Sequence, residues 1–130
     1  MICDHLGIAV RDLAEAARLY TSAFGLQVTE RYTLPGEGVR IAFLPSGAID
    51  LELLEPIDDG GSVAKFLATR GPGLHHIAFR VPDIEAALVR ATAAGCTIVA
   101  PGPHPGARGH LIAFLHPATS GGVLIEFVQR

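Results

Sequence analysis

Residues 74–81 read Leu-His-His-Ile-Ala-Phe-Arg-Val, two adjacent histidines set in a largely apolar run. Leu, Ile, Phe and Val at this density suit a β-strand, in which neighbouring side chains point to opposite faces. The two imidazoles therefore have different surroundings. His76 shares a face with Ala78 and Arg80, and His75 shares the other with Ile77, Phe79 and Val81. The bulkier apolar face must pack on helices, which leaves the face carrying His76 and small Ala78 to floor a cavity. His75 is expected on the helix side, structural or partly exposed.

The stretch occurs twice. Residues 4–17, DHLGIAVRDLAEAA, superpose on residues 75–88, HHIAFRVPDIEAAL, with a shift of 71 that aligns His5 with His76, Val10 with Val81 and Asp12 with Asp83. The same shift places GVRIAFL at 38–44 on GHLIAFL at 109–115. One offset kept across two separated matches marks an internal duplication. Each copy parses as a strand (3–10, 74–81), an aspartate N-cap (Asp12, Asp83), a helix ending near Gly25 or Gly95, and three further strands. Asp12 and Glu15 also have capping-box spacing. The later strands are expected at about 26–32, 38–45 and 48–55, then at about 96–100, 109–116 and 122–129.

Two βαβββ modules make an α+β protein: module 1 over 1–56, a linker over 57–72 and module 2 over 73–130. The linker, within DDGGSVAKFLATRGPG at 58–73, is expected to hold a short helix capped by Ser62. His5 shares its face with Cys3, Gly7 and Ala9, leaving Leu6, Ile8 and Val10 for the helix.

The 130 residues fit one compact domain, 49% hydrophobic and 18% charged, which excludes a disordered chain. A net charge of −3 without a basic stripe argues against nucleic acid, leaving small molecules as expected partners. No apolar run approaches the roughly 18 residues of a membrane span. Cys3 and Cys96 read as inert core thiols, and with no recognisable secretory leader the expected compartment is a reducing cytoplasm.

The last strand of each copy sets a glutamate in apolar sequence: Glu52 in IDLELLEP and Glu126 in GVLIEFVQ, offset by 74 because PATSGG lengthens the second hairpin. Glu55, by alternation, points away from the Glu52 face. A buried carboxylate costs several kcal/mol unless paired or metal-bound, and neither strand supplies a lysine or arginine. If the copies pack about a pseudo-twofold axis, His5, Glu52, His76 and Glu126 converge; two imidazoles and two carboxylates suit a divalent transition metal with positions left for substrate. His104, His110 and His116 are expected at the surface or the substrate rim.

With these residues in hand, the chain resembles the vicinal oxygen chelate (glyoxalase) superfamily and, within it, the methylmalonyl-CoA epimerase family. The specific blocks are AKFLATRGPGLHHIAF from Ala64 and FLHPATSGGVLIE from Phe114; the DHLGIAV start is shared more widely. The resemblance implies a cupped mixed eight-stranded sheet with helices outside, metal ligands at His5, Glu52, His76 and Glu126, an acyl-CoA substrate and a homodimer. It suggests cobalt, while the donor set also accepts zinc, nickel, manganese or iron. Two positions depart from the family: Ile41 stands where some epimerases carry a glutamate proposed as a base, and Ala118 where a lysine often follows the His-Pro pair.

The implied reaction is epimerisation of methylmalonyl-CoA by α-proton abstraction, with Glu126 the first choice of base and Glu52 the second. Lys65, Arg108 and the turn Thr119-Ser120-Gly121 are candidates for substrate contacts. Two alternatives are glyoxalase I chemistry on a glutathione hemithioacetal, and a metal-free binding protein of the bleomycin-resistance type.

Overall fold

The computed structural model describes residues Met1–Arg130. Its elements run β1 (Ile2–Ala9), α1 (Leu13–Phe24), β2 (Glu30–Leu34), β3 (Val39–Ser46), β4 (Ile49–Pro56), α2 (Ser62–Arg70), β5 (Gly73–Arg80), α3 (Ile84–Ala93), β6 (His104–Pro105), β7 (Leu111–Leu115) and β8 (Ile125–Gln129). Across hydrogen-bonded neighbours the mixed sheet is ordered β2-β3-β4-β1-β5-β8-β7-β6. The chain divides into two compact units, His5–His75 and His76–Arg130 with Met1–Asp4.

Within the first unit β1 runs parallel to β4, and β4, β3 and β2 follow as antiparallel neighbours. The second repeats the pattern: β5 runs parallel to β8, and β8, β7 and β6 are antiparallel. Both βαβββ parses are present.

The two helices after β1 and β5 start by the same device. The Asp12 carboxylate accepts from the Glu15 N–H at 2.9 Å, and that of Asp83 from the Ala86 N–H at 3.1 Å. Each helix also gives its first N–H to the last strand of its own copy: Leu13 donates to Glu55 Oε2 and Ile84 to Gln129 Oε1, both at 2.7 Å. Glu55, further held by Arg40 at 2.9 Å, therefore lies on the helix side, as alternation requires. Gly25, at φ +70°, ends α1 in the left-handed conformation that glycine adopts without steric cost.

The cores confirm the face assignment. Val10, Ala17, Ala42, Leu44 and Leu53 pack with Ile8, Leu13, Ala16 and Tyr20 beneath α1. Val81, Ile84, Ala87, Leu88, Ala113, Leu115 and Phe127 pack with Phe79 beneath α3. His75 is half-buried against Phe66 of α2, ring centroids 5.1 Å apart.

Two local expectations fail. Residues 96–100 form no strand: Ile98 makes a single bridge to Leu115, and the edge strand is the two-residue β6. Pro101 and Pro103 carry no N–H and cannot extend a ladder, so pairing resumes only at His104. Ser62 is the first helical residue of α2 rather than its cap. Gly61 occupies the cap, with no side-chain bond. No helix is long and apolar enough to cross a membrane.

Candidate active site

The parallel pairings β1/β4 and β5/β8 put each glutamate beside its histidine. Glu52 lies opposite Gly7 and Glu126 opposite Ala78, in each case the residue two places after the histidine. Residues two apart share a face, and Gly7 and Ala78 are small enough to let the carboxylate lie along the strand toward the ring. The outcome is His5 Nε2 at 3.6 Å from Glu52 Oε2 in the first unit, and His76 Nε2 at 2.9 Å from Glu126 Oε2 in the second. All four side chains are at most 7% exposed.

Each pair has the donor types and spacing that a divalent ion takes. Donors about 2.1 Å from a metal stand about 3.0 Å apart at right angles and about 3.4 Å apart at tetrahedral angles, close to both separations found here. Both histidines turn Nε2 toward the carboxylate, and all four donors are nitrogen or oxygen, the set that zinc, cobalt, nickel, manganese and iron accept.

The other expected residues lie as follows. Ile41, on β3, is 3% exposed and offers no group that could accept a proton. Ala118 is exposed in a 3-10 turn over Pro117–Thr119. In that turn the Thr119 hydroxyl accepts from the Thr97 N–H and donates to the His116 carbonyl, both at 2.9 Å. The Ser120 hydroxyl lies 2.7 Å from the Val123 carbonyl and 3.1 Å from that of His116. Both hydroxyls are thus engaged with backbone, and Gly121, at φ +74°, completes the turn. Lys65 is exposed on α2, and Arg108 is half-buried at φ +62°, an uncommon conformation for a residue with a side chain.

His116 is exposed, and His104 Nδ1 lies 2.8 Å from the Gly102 carbonyl. His110 is half-buried, and burial, aided by the Arg130, Arg108 and Arg80 guanidiniums, holds its pKa below the usual 6.5 against the opposing pull of Asp4.

One buried charged group carried no sequence signal. The side chain of Asp4 is 2% exposed, and its Oδ1 accepts from Arg80 Nε at 3.1 Å and from Arg130 Nη2 and Nε at 2.8 and 3.2 Å. These residues stand 76 and 126 positions from Asp4, beyond the reach of any local pattern.

Residues 4–114 match the family model of the glyoxalase/bleomycin resistance protein/dioxygenase superfamily. The ethylmalonyl-CoA/methylmalonyl-CoA epimerase of Cereibacter sphaeroides is 38% identical over 128 residues, covering 97% of this chain and 96% of the relative. The mitochondrial methylmalonyl-CoA epimerase of Homo sapiens is 37% identical over 127 residues, covering 97% and 72%. Among solved structures, a variant of Streptomyces coelicolor methylmalonyl-CoA epimerase in complex with 2-nitronate-propionyl-CoA superposes with a TM-score of 0.93 at 37% identity, covering 98% of this chain and 95% of that one.

Proposed function

The chain belongs to the glyoxalase/bleomycin resistance protein/dioxygenase superfamily and, within it, to the methylmalonyl-CoA epimerases, and on that premise we propose that it interconverts the two epimers of methylmalonyl-CoA. The observation that carries the reading is the duplicated, buried His–Glu pair, built on the same register in each unit. His5, Glu52, His76 and Glu126 are the proposed donors to one divalent ion. A cation would balance two buried carboxylates, each of which has an imidazole beside it. Cobalt is the ion we favour among those the donors accept, a homodimer the working form, and the cytoplasm the site of action, where Cys3 and Cys96 stay reduced.

A divalent ion bound there supplies Lewis acidity to the thioester and carboxylate oxygens of the substrate, and a template that fixes them. The chain's residues do the rest. Inverting the carbon between those two groups requires removing a proton from one face and returning one to the other, by a carboxylate within hydrogen-bond reach on each face or by one that serves both. Glu126 is the proposed base on one face and Glu52 on the other. Ile41 is apolar and buried and offers no second acid–base group, so that role would pass to Glu52, with His5 and His76 as the nitrogen donors that would hold the ion. Lys65, Arg108 and the turn Thr119–Gly121 remain our candidates for substrate contacts at the rim, the last through its backbone, since both hydroxyls already have partners.

The test follows one pure epimer of methylmalonyl-CoA in deuterated water with the metal-loaded protein. Epimerisation with α-deuterium uptake is the expected result. No exchange, together with turnover of a glutathione hemithioacetal, would move the assignment to glyoxalase chemistry. A Glu126→Gln protein that retains metal should exchange the α-proton at least about 100-fold more slowly; an undiminished rate removes Glu126 as base.

A further inference from the structure

Each imidazole of the two pairs meets a phenylalanine ring at a right angle. Phe43 stands 6.1 Å from His5, centroid to centroid, with the planes at 89°, and Phe114 stands 5.7 Å from His76 with the planes at 88°. The shift of 71 residues that carries His5 onto His76 carries Phe43 onto Phe114. The ladders explain the contact: Phe43 pairs directly with Glu52 across β3 and β4, and Phe114 with Glu126 across β7 and β8. The recurring unit is therefore a triplet of histidine, glutamate and phenylalanine, set by the Ile-Ala-Phe-Leu sequence that occurs at 41–44 and again at 112–115. In each copy the alanine and leucine of that sequence enter the core under the helix, while the phenylalanine turns to the imidazole.

The torsion that rotates an imidazole about its Cβ–Cγ bond is soft and broad, so the backbone does not by itself fix where Nε2 points. An aromatic ring held edge-to-face at 4.5–7 Å is a favoured arrangement and restricts that rotation. We propose that Phe43 and Phe114 are paired positioning residues that set the planes of His5 and His76 and thereby aim both Nε2 atoms at the ion. The two braces differ. Phe43 is 2% exposed and backed by Tyr32 at 6.1 Å, whose hydroxyl donates to Glu30 Oε2 at 2.7 Å. Phe114 is half-buried and packs on Ala78, Ile112 and Val128.

The inference rests on the metal reading, and the experiment separates the two. Metal-stripped full-length protein is titrated with Co2+ against a competing chelator, with the visible d–d spectrum and the melting temperature of the metal-free protein recorded in parallel. Wild type, Phe114→Met, Phe114→Tyr, Phe43→Met and, as a control, His76→Ala are compared. Residues that orient metal ligands typically contribute 10–100-fold to affinity, so each methionine variant should bind Co2+ about 10-fold or more weakly, with shifted d–d bands. Phe114→Tyr, which keeps the ring, should bind close to wild type. If Phe43→Met fails to fold, Phe114 decides alone. Wild-type affinity and an unchanged spectrum in the folded methionine variants overturn the inference and leave the metal reading standing. A wild-type protein that binds no Co2+ overturns both.

Discussion

Replacing both buried acids, Glu52→Gln with Glu126→Gln, should make the metal-free protein more stable. Glu52 and Glu126 are 5% and 4% exposed, and each has an imidazole beside it, at 3.6 and 2.9 Å, which neutralises a carboxylate only when protonated. Burying an ionised carboxylate costs several kcal/mol, and replacing a buried ion pair by apolar residues of like volume is often neutral or stabilising by about 1–4 kcal/mol; glutamine sheds the charge and keeps the shape. Allowing for what each imidazole recovers, the gain is about 1–2 kcal/mol per site, or about 2–4 kcal/mol for the pair. For a chain of this length that raises Tm by roughly 3–5 °C per kcal/mol.

Wild type should reach similar stability once loaded with metal, since an ion at 100 times its dissociation constant adds about 2.7 kcal/mol. The assay is urea unfolding with EDTA and again with saturating Co2+. The double variant should start above wild type in EDTA and gain nothing from cobalt, whereas wild type should gain. A double variant that is less stable than wild type in EDTA, or that still responds to cobalt, refutes the argument that these carboxylates are kept buried for a cation.

Three further outcomes concern the Asp4 cluster, His110 and Glu55. Because the Asp4 side chain is 2% exposed while those of Arg80 and Arg130 are 36% and 41% exposed, losing both arginines should cost about 3–5 kcal/mol, against about 1–2 kcal/mol for Asp4→Asn, whose orphaned guanidiniums can turn to water; equal losses in urea unfolding would contradict this. His110 has a lowered pKa from burial and the nearby arginines, so the unfolded chain takes up its proton first, and wild type should lose stability relative to His110→Gln as pH falls through and below about 6.5; parallel stability–pH curves would count against it. Glu55→Gln keeps an acceptor for the Leu13 N–H but loses the charge that holds Arg40, and should cost less than about 1 kcal/mol, whereas Glu55→Ala removes both and should cost about 1–3 kcal/mol; indistinguishable midpoints would show that Glu55 does not anchor α1.

Much of this architecture is legible in the sequence because the duplication lets one copy check the other. The pairing of His5 with His76 fixes strand parity, parity separates His76 from His75, and an acid in an apolar strand stands out in both copies. What escapes is what has no local period. The Asp4–Arg80–Arg130 cluster joins residues far apart in the chain, and nothing near Asp4 distinguishes it from a solvated acid. The run at 96–100 has strand-like residues, but the prolines at 101 and 103 end its pairing after one bridge. Phe43 and Phe114 were in plain sight within a repeated tetrapeptide, whose recurrence marks the duplication while only the cross-strand register reveals that each phenylalanine lies opposite a glutamate and against an imidazole.

The central claim is that two copies of one supersecondary unit each give a nitrogen and an oxygen to a single ion. X-ray diffraction from cobalt-loaded crystals, collected on both sides of the cobalt absorption edge, measures this directly. One anomalous peak per chain, about 2.0–2.2 Å from His5 Nε2, His76 Nε2 and an oxygen of Glu52 and of Glu126, is the predicted result. No peak, a peak bound to other residues, or two peaks with one on each pair would contradict it.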